Sequence, residues 1–485
     1  MMVPLLSRLL ISLVLFSLGL FSLPACGSGG GELVCADTSC LNGALRDAKS
    51  GVTVKLEAGT YEGNFELSAG VSLSGAGEVT ILSFSGDGPV LTVSAGAAQT
   101  TISNLTIEKS TCPYQENPNE VAGSGGGGIL IEGDGEVWLS DLKVQVSCGI
   151  GIKVKGIAGL TGKNLTLIGN VTSTDEPGIL TKPNRTKYAV AGLSLNAVGQ
   201  ADLEAIDANG FAGCGVLFHG TPGTLDGGEL HDLVGSGVHA SGSVMVTLKN
   251  LHIHDIWGGA TPFGYGIAAT NLVHLLTEDV ILENNKVAGI LMDHSTGEHI
   301  NATVSGNGAR GIWLQSCTPT QQTPDGRAVI VRGNKTKLIN NNGVAFGVFQ
   351  STGISLADAD VSGTQKISMI AYQESTRVDI GDGIEVIGSD DLEFSDLTVN
   401  NNQRAGIIID AREGVSEVQV TFVNVTIDGD GERGFSVQHG TVTTLPDVID
   451  NTLRENDAAG EILDVVSPLE TDRVPSPFNI IDIPT

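Results

Sequence analysis

Short stretches of alternating apolar and polar residues recur along the chain. They read NLTI at 104–107, DLKV at 141–144, NLTL at 164–167, DVIL at 279–282, DLTV at 396–399 and NVTI at 424–427. Successive side chains of an extended strand point to opposite faces, so the alternation predicts Leu105 and Ile107 on one side and Thr106 on the other. After residue 48 no segment keeps a helical period. The chain is therefore predicted to consist of short strands.

A glycine followed by an aliphatic or phenylalanine residue recurs after these strands. These glycines are residues 128, 151, 192, 215, 237, 266, 289, 311, 383, 406 and 434. Most neighbouring pairs are about 22 residues apart, which is a period typical of solenoids built from stacked repeats. The pattern predicts an all-β fold in which short parallel strands stack, with Leu105, Leu142, Val280 and Leu397 in one interior column.

The beginning of this repeat carries a family resemblance. Residues 44–82 contain AGTY at 58–61 and LSGAG at 73–77, and they resemble the opening of right-handed parallel β-helices of the pectin-lyase-like superfamily. The resemblance implies a right-handed parallel β-helix over 33–440, with about 22 residues per rung. An amphipathic segment over 41–48 is expected to cap the open N-terminal end, and 441–485 to form an irregular tail over the last rungs.

Asparagines open several of the predicted strands. Asn104, Asn164 and Asn424 each begin an N-x-T triplet, which is also the acceptor pattern for N-glycosylation. We interpret them as turn residues, because asparagine tolerates the left-handed conformation that tight turns need. Asn284, Asn401 and their asparagine neighbours are expected to form ladders of stacked amides.

Three rungs are longer than the others at the same corner. The longer segments connect residues 107 and 129, 167 and 193, and 253 and 267. Insertions in a repeat protein map to one face, so these segments are expected to form a wall along one side of the solenoid. In the resembled superfamily such loops flank the groove that binds substrate.

Eight of the nine histidines lie between residues 219 and 299. His231, His254 and Glu283 occupy equivalent outward positions on consecutive predicted rungs, about 4.8 Å apart. They are our candidate catalytic residues, because acid–base and metal sites need convergent nitrogen and carboxylate groups. Asp232 or Asp255 would complete a tetrahedral zinc site. His252 also points outward, and we interpret it as a solvated strand residue.

A second set of outward residues lies on the next strand of each rung. We expect them to line a groove for an extended chain, with Trp313 either stacking on a sugar or covering an apolar edge. Aromatic residues of the third longer segment, Trp257, Phe263 and Tyr265, would hang beside the histidines. The candidate substrate-binding residues are His219, His239, Trp257, Tyr265, Asp293, Trp313 and Gln315.

Catalytic signatures of the resembled superfamily are missing. FHGT at 218–221 departs from the GHG of polygalacturonases, and HIHD at 252–255 departs from the DPHD of mannuronan epimerases. Whether the protein is an enzyme therefore stays open, as a lyase, hydrolase or epimerase. No cofactor is required by the sequence, and the available ligands suit a divalent cation, calcium or zinc. The acidic turn at 428–432 is interpreted as solvated, because it lacks a full calcium ligand set.

The first residues indicate export. Arg8 precedes an apolar run over residues 9–23 that is short for a membrane span and typical of a signal peptide. The run ends in LPAC at 23–26, which resembles the lipobox of bacterial lipoproteins and implies cleavage after residue 25 and lipidation of Cys26. An ordinary secretory cleavage is the alternative. The Gly/Ser-rich residues 26–32 would then tether the body to the outer membrane of a bacterial envelope.

The number of cysteines is consistent with an oxidising compartment. Without Cys26 the chain has six cysteines, an even number. Cys35 and Cys40 are close enough in sequence to form a disulfide, and Cys112 and Cys148 lie on neighbouring repeats. Cys214 and Cys317 are several repeats apart, so a bond between them is not expected.

The charge of the chain limits its partners. Its formal net charge is −29, so nucleic acid and anionic polysaccharides are poor partners unless a cation bridges them. We expect a monomer that meets the membrane only through its lipid. Two functions fit: an envelope lipoprotein that binds or modifies a polysaccharide or cell-surface glycan, and a non-catalytic surface, adhesion or structural protein.

Overall fold

The computed structural model describes residues 31–111, 127–172, 188–258, 264–318, 331–370, 377–410, 420–431, 433–438 and 447–449. Within them the chain forms a parallel β-helix, as predicted. Nearly all strand pairs are parallel, and each strand lies between those of the preceding and following rungs. No helix in these ranges has the length and apolar character needed to cross a membrane.

The strands form two sheets. Sheet A contains β1 Glu32–Cys35, β2 Thr53–Leu56, β3 Gly59–Glu62, β5 Ser72–Ser74, β6 Thr80–Phe84, β8 Thr100–Lys109, β10 Glu136–Val146, β12 Gly159–Ile168, β14 Ala201–Asn209, β16 Gly223–Leu233, β18 Met245–Ile256, β20 His274–Glu278, β21 Ile281–Glu283, β23 Thr296–Ile300, β24 Thr303–Ser305, β26 Val331–Asn334, β27 Lys337–Ile339, β29 Thr352–Ser362, β32 Asp390–Asn400, β34 Val420–Val423, β35 Thr426–Asp428 and β37 Asp447–Ile449.

Sheet B contains β4 Phe65–Leu67, β7 Leu91–Ala95, β9 Gly127–Gly133, β11 Gly149–Lys155, β13 Ala189–Asn196, β15 Cys214–His219, β17 Ser236–Ser241, β19 Tyr265–Thr270, β22 Ala288–Asp293, β25 Arg310–Gln315, β28 Gly343–Phe349, β30 Ile367–Ile370, β31 Arg377–Ile387, β33 Ala405–Asp410 and β36 Arg433–Gln438. Strand β30 pairs with β31 in the antiparallel direction.

The interior is a set of aligned apolar columns. Leu142 pairs with Leu105 of the preceding rung and Leu165 of the following one. All three are buried, and so are Val280 and Leu397. The predicted interior column is confirmed. Burying a leucine side chain stabilises the fold by about 1.5–3 kcal/mol, so stacking many rungs supplies the core that one rung lacks.

Left-handed residues bend sheet A at the same point in successive rungs. Asn104, Asp141 and Asn164 have φ values of 54°, 52° and 54°. The Asn164 side-chain amide donates to the Asp141 carboxylate at 2.9 Å on the exposed surface. The turn interpretation of these asparagines is confirmed by their conformation, because asparagine and aspartate reach this region at lower cost than most residues.

A second ladder runs inside the turns between the sheets. Asn285, Asn307 and Asn341 are fully buried. The Asn285 side-chain amide donates to the Asn307 side-chain oxygen and that of Asn307 to Asn341, both at 2.9 Å, and Asn285 and Asn307 are 22 residues apart. Asn284 and Asn401, expected in the ladder, instead adopt the left-handed conformation beside it. The ladder gives these buried side-chain amides hydrogen-bond acceptors where no water is available.

A helix covers the N-terminal end. Helix α1 spans Thr38–Asp47. Asp37 is its N-cap, and the Asp37 side chain accepts a hydrogen bond from the Cys40 backbone N–H at 2.8 Å. It buries Leu41 and Leu45 against the first rungs. At the other end, β37 pairs with β35 beyond residue 440, where an irregular tail was expected. The stack of strands therefore continues past that boundary.

The cysteines are divided between disulfides and the core. Cys35 and Cys40 form a disulfide with a Cα–Cα distance of 5.3 Å. Cys148 is disulfide-bonded, while Cys112, its expected partner, lies outside the described residues. Cys214 and Cys317 are free and buried. Cys26 and the expected signal peptide also lie outside the described residues.

Candidate functional site

The outer face of sheet A carries a group of histidines and carboxylates on β16, β18 and β21. Leu230, Ile253 and Leu282 are aligned in these strands and are fully buried. Alternation therefore turns the residues on both sides of each one outward. The outward residues are Glu229 and His231 on β16, His252 and His254 on β18, and Ile281 and Glu283 on β21. We call Glu229, His231, His252, His254 and Glu283 the His–Glu patch.

His254 lies at the centre of the His–Glu patch. Its Nε2 is 2.8 Å from Oε1 of Glu229, and its Nδ1 is 2.8 Å from Oδ2 of Asp255. Asp255 is held in place by a turn, with φ at 53°. The imidazole therefore lies between two carboxylates, one from the preceding rung and one from its own.

His252 lies beside His254 and between the carboxylates of Glu229 and Glu283. Its ring centroid is 4.3 Å from that of His254. Its Nδ1 is 3.9 Å from Oε1 of Glu229, and its Nε2 is 3.4 Å from Oε2 of Glu283. That Nε2 atom is shielded from solvent and forms no hydrogen bond with a described residue. The His252 side chain is 40% exposed, as expected of a solvated strand residue, but its ring also lies between two carboxylates.

These contacts shift the proton affinity of two members. Burial lowers the pKa of His254, but its hydrogen bonds to Asp255 and Glu229 outweigh burial, and the pKa lies above its ordinary value. The hydrogen bond from His254 lowers the pKa of Glu229. Both shifts favour the charged forms, because each group stabilises the charge of the other.

The predicted catalytic column is only partly brought together. The ring of His231 stacks on His254 with centroids 5.3 Å apart, but its Nδ1 faces Asp232 at 2.8 Å. Glu283 contacts His252 and accepts from Ser305 at 3.1 Å. Asp232 and Asp255 each orient the neighbouring histidine, so neither is placed as the fourth zinc ligand expected from the sequence.

Glu229 and His252 were missed as site residues. The signal was present, because each directly precedes an inward residue, Leu230 or Ile253, just as His231 and His254 directly follow one. Neighbouring strands place Glu229 opposite His252 in register. An acid and an imidazole at opposite outward positions of neighbouring strands are expected to interact.

Three ligand atoms of the His–Glu patch lie close enough to hold a metal ion. One carboxylate oxygen of Glu229 and one nitrogen each of His252 and His254 all lie within 4.8 Å of one another. Their side chains are half-buried or exposed, so a cation and a ligand from solution can reach them.

The predicted groove on sheet B differs from expectation. His239, Tyr265, Trp313 and Gln315 are 2%, 1%, 2% and 2% exposed, so the expectation that they face solvent is wrong. A second apolar cluster packs on the outer side of this sheet and includes Phe349. Burial also lowers the pKa of His239 to about 3, which keeps that imidazole neutral.

Trp313 packs as a structural residue. The guanidinium of Arg310 lies 4.1 Å from its ring centroid, and Phe349 stacks at 6.3 Å. A sugar cannot stack on a ring that is covered in this way. Of the two roles considered for Trp313, covering an apolar edge is the one that fits.

The remaining predicted binding residues have other neighbours. His219 shares a hydrogen bond with Ser241 at 2.9 Å, and Asp293 faces His294 at 2.7 Å. Trp257 is half-buried and packs against Val171, Ala212 and Val234. Their roles in binding stay predictions. Phe263 and most of the three longer segments lie outside the described residues.

Trp138 is an exposed aromatic residue that the sequence did not single out. It lies on β10 and is 49% exposed. Its neighbours in register are Thr101 and Thr161. An exposed indole between two threonines offers a flat apolar surface with hydroxyl groups on either side.

The acidic turn near the C-terminal end has a structural role. Asp430, expected to be solvated, is 7% exposed. Its Oδ1 accepts from the backbone and the side chain of Asn402, at 2.7 and 2.9 Å. Burial raises the pKa of Asp430 to about 6. This carboxylate therefore takes the place of an asparagine in the buried ladder.

Comparison with known proteins supports the fold. Residues 191–361 match a family described as a right handed beta helix region, which gives the hand of the coil. No curated protein matches the chain.

Solved structures that are similar to this chain include three that cover most of it. The A-module of a mannuronan C-5 epimerase from Azotobacter vinelandii has 14% identity, covers 86% of this chain and 98% of its own, and gives a TM-score of 0.42. A periplasmic alginate epimerase has 10% identity, 86% and 84% coverage and a TM-score of 0.42. The catalytic domain of an α-1,3-glucanase has 11% identity, 88% and 70% coverage and a TM-score of 0.46. At these identities the likeness concerns the fold alone.

Proposed function

We propose that this protein binds polysaccharide on the outer face of sheet A, at the His–Glu patch. The observation that carries the proposal is the convergence of polar side chains from successive rungs on an accessible face. Glu229 and His254 are 2.8 Å apart although they come from different rungs. Nothing in the core requires this arrangement, because both side chains lie outside the apolar columns.

The chemistry of the His–Glu patch suits sugar hydroxyl groups. A hydroxyl both donates and accepts hydrogen bonds, carboxylates accept them, and imidazoles do either according to protonation. Rungs about 4.8 Å apart present these groups at regular intervals, which favours an extended ligand that crosses several strands. The net charge of −29 disfavours anionic chains in the absence of a bridging cation.

Trp138 is a second candidate contact. Its strand β10 is three strand spacings from β16, roughly 14 Å along the stack, and Trp138 aligns there with Thr224, on the other side of the left-handed bend from the His–Glu patch. Aromatic side chains that carry a polar group are common where one face of a ligand is apolar, and sugar rings have such a face. Loss of glycan binding in Trp138→Ala would place the ligand across both regions.

The test is a binding screen with neutral and acidic polysaccharides. We expect Glu229→Gln and His254→Gln to weaken binding about 10- to 100-fold, since each removes a charge-assisted hydrogen bond worth about 1.5–3 kcal/mol. His274→Gln is the control, because His274 is also a partnered histidine, 3.2 Å from Thr296, but lies outside the His–Glu patch and the candidate binding residues. Native protein that binds no polysaccharide, or equal loss in the control, would contradict the proposal.

A non-catalytic surface role is the second candidate. The burial of His239, Tyr265, Trp313 and Gln315 favours it, because it removes most of the predicted groove lining on sheet B. Incubation with the polysaccharides that bind, followed by assays for new reducing ends and unsaturated products, separates the two. Products that depend on Glu229 and His254 would identify an enzyme.

We also propose that the protein is anchored to the bacterial envelope through lipid on Cys26. The disulfides at Cys35–Cys40 and at Cys148 support an oxidising compartment. Labelled fatty acid should enter the native protein and be absent from Cys26→Ser. Equal labelling of both would exclude this anchor.

A further inference from the structure

We propose that Glu229, His252 and His254 bind a divalent transition-metal ion, with zinc as the best match. The three side chains offer one carboxylate oxygen and two imidazole nitrogens within 4.8 Å of one another. Two histidines and one glutamate form a ligand set found in catalytic zinc sites, where a fourth position stays open. Glu229 and His254 are already in contact, so a metal ion needs only small side-chain shifts to enter between them.

The surroundings of the two histidines support metal binding. A zinc-bound histidine usually has its other ring nitrogen facing a carboxylate, which fixes the ring. Asp255 lies 2.8 Å from Nδ1 of His254. Glu283 lies 3.4 Å from Nε2 of His252, and Ser305 holds Glu283 at 3.1 Å. Each histidine thus turns one nitrogen to a supporting carboxylate and the other toward Glu229.

His252 gives an independent indication. Its Nε2 is shielded from water and lies 3.4 Å from Oε2 of Glu283, yet it forms no hydrogen bond with any described residue. Most shielded polar atoms have a hydrogen-bond partner, so an unpartnered one calls for an explanation. A metal ion on Nδ1 would make Nε2 a proton donor, and Glu283 would then be its acceptor.

The backbone beneath these ligands is rigid. Leu230 and Ile253 are fully buried and aligned in register, so β16 and β18 cannot slide without moving the core. Gly228 lies so close to the backbone of Ile206 that a Cβ atom there would clash with it. Ligands on such strands are positioned before the metal ion arrives, which lowers the cost of binding.

The donor set selects zinc over calcium. Calcium prefers six to eight oxygen ligands, whereas imidazole nitrogen suits zinc and its neighbours in the transition series. The inference concerns the same surface as the proposed function and rests on it for the identity of the fourth ligand. A zinc ion with an open position would accept a hydroxyl or carboxylate oxygen of a glycan. The positive charge of the zinc ion would also offset the local negative charge that disfavours anionic polysaccharides.

The experiment is equilibrium dialysis of the purified full-length chain, without a histidine tag, against zinc chloride in the absence of glycan. We expect one zinc per chain at this site. Glu229→Gln and His254→Gln should each weaken binding more than about 100-fold, and Asp255→Asn about 10- to 100-fold, as supporting carboxylates do. His294→Gln is the control with an equivalent aspartate–histidine pair and should bind like the native chain. Circular dichroism verifies that each variant is folded.

Two outcomes would overturn the metal site. One is native protein that retains no zinc, and the other is a folded His254→Gln variant that binds zinc as tightly as His294→Gln does. Glycan binding measured with and without a chelator separates this inference from the proposed function. Glycan binding that persists without zinc uptake rejects the metal alone, whereas zinc uptake without glycan binding rejects the proposed function alone.

Discussion

Individual residues in this fold are set by the neighbours that stacking brings to them. Asp430 occupies a position equivalent to buried asparagines and accepts two hydrogen bonds from Asn402. Trp313 covers Gly347 so closely that a Cβ atom there would overlap its ring. Asp430 carries a buried charge, and Trp313 leaves no room for a side chain at residue 347. Each of these observations leads to a prediction.

Replacing Asp430 with asparagine should stabilise the protein at neutral pH. Burial raises the pKa of Asp430 to about 6, above its value in the unfolded chain. The stability that its protonated form contributes is fully present below about pH 4 and is lost as the pH rises through about 6. Asp430→Asn should gain on the order of 2 kcal/mol at pH 8 and nothing at pH 4. Urea unfolding at both values measures this, and an equal gain at both would contradict the assigned cause.

Gly347→Ala should destabilise the region around Trp313. The added methyl group would fall on the ring atoms Cε3 and Cζ3 of Trp313, and a rigid indole cannot yield locally. Overpacking of this kind costs about 1–3 kcal/mol. Gly43→Ala in α1 is the control, because a Cβ atom there meets nothing within 4 Å. Thermal unfolding followed by tryptophan fluorescence should show a loss for Gly347→Ala only.

At the scale of the element, the rung is the unit that places polar groups. The asparagine ladder connects one turn to the next, and its members are fully buried. Asn307 donates to Asn341 and accepts from both the backbone and the side chain of Asn285. A single change therefore affects the hydrogen bonds of three rungs.

Asn307→Ala should cost about 3 kcal/mol or more. It removes the acceptor of two buried donors, the backbone and side-chain amides of Asn285, and each such group costs about 1–3 kcal/mol. The comparison is Asn301→Ala on the exposed ladder, where water replaces the lost amide and the φ of 52° costs roughly 1–2 kcal/mol in alanine. Chemical denaturation of both variants tests the difference. Similar losses would show that the buried ladder contributes no more to stability than the exposed one.

At the scale of the whole molecule, stability depends on histidines of the histidine-rich stretch 219–299 that are buried in the fold. His299 lies inside the solenoid, with Nδ1 at 2.9 Å from Thr277 and Nε2 at 3.2 Å from Met292. Burial lowers the pKa of His299 to about 4 and that of His239 to about 3. Both imidazoles are neutral in the folded chain.

Acid should therefore destabilise the native protein. These two histidines contribute stability that is fully present above about pH 6.5, their unfolded pKa, and is lost as the pH falls toward 4. Each loses up to about 1.4 kcal/mol per pH unit in that window. His299→Gln should remove about half of the contribution that the two buried histidines make to the slope, measured as the free energy of unfolding between pH 7 and pH 5. A slope unchanged in His299→Gln, or equally reduced in the surface control His294→Gln, would contradict this assignment.

The sequence by itself determined the repeat and its inward columns. A period of about 22 residues and strict alternation place Leu105, Leu142, Val280 and Leu397 in the core, because side-chain direction in a strand follows from the backbone alone. The same rule placed His231, His254 and Glu283 in one outward row. Turn positions such as Asn104 also followed, since a left-handed residue is needed wherever the strand bends.

Only the tertiary structure decided which outward residues meet and which are covered. Side-chain torsions bring Glu229 to His254 and turn His231 to Asp232, and alternation says nothing about torsions. Burial of Trp313, His239 and Gln315 depends on packing across the outside of sheet B, between residues far apart in sequence. Strand periodicity distinguishes inside from outside, but whether an outside residue reaches solvent depends on what packs over it.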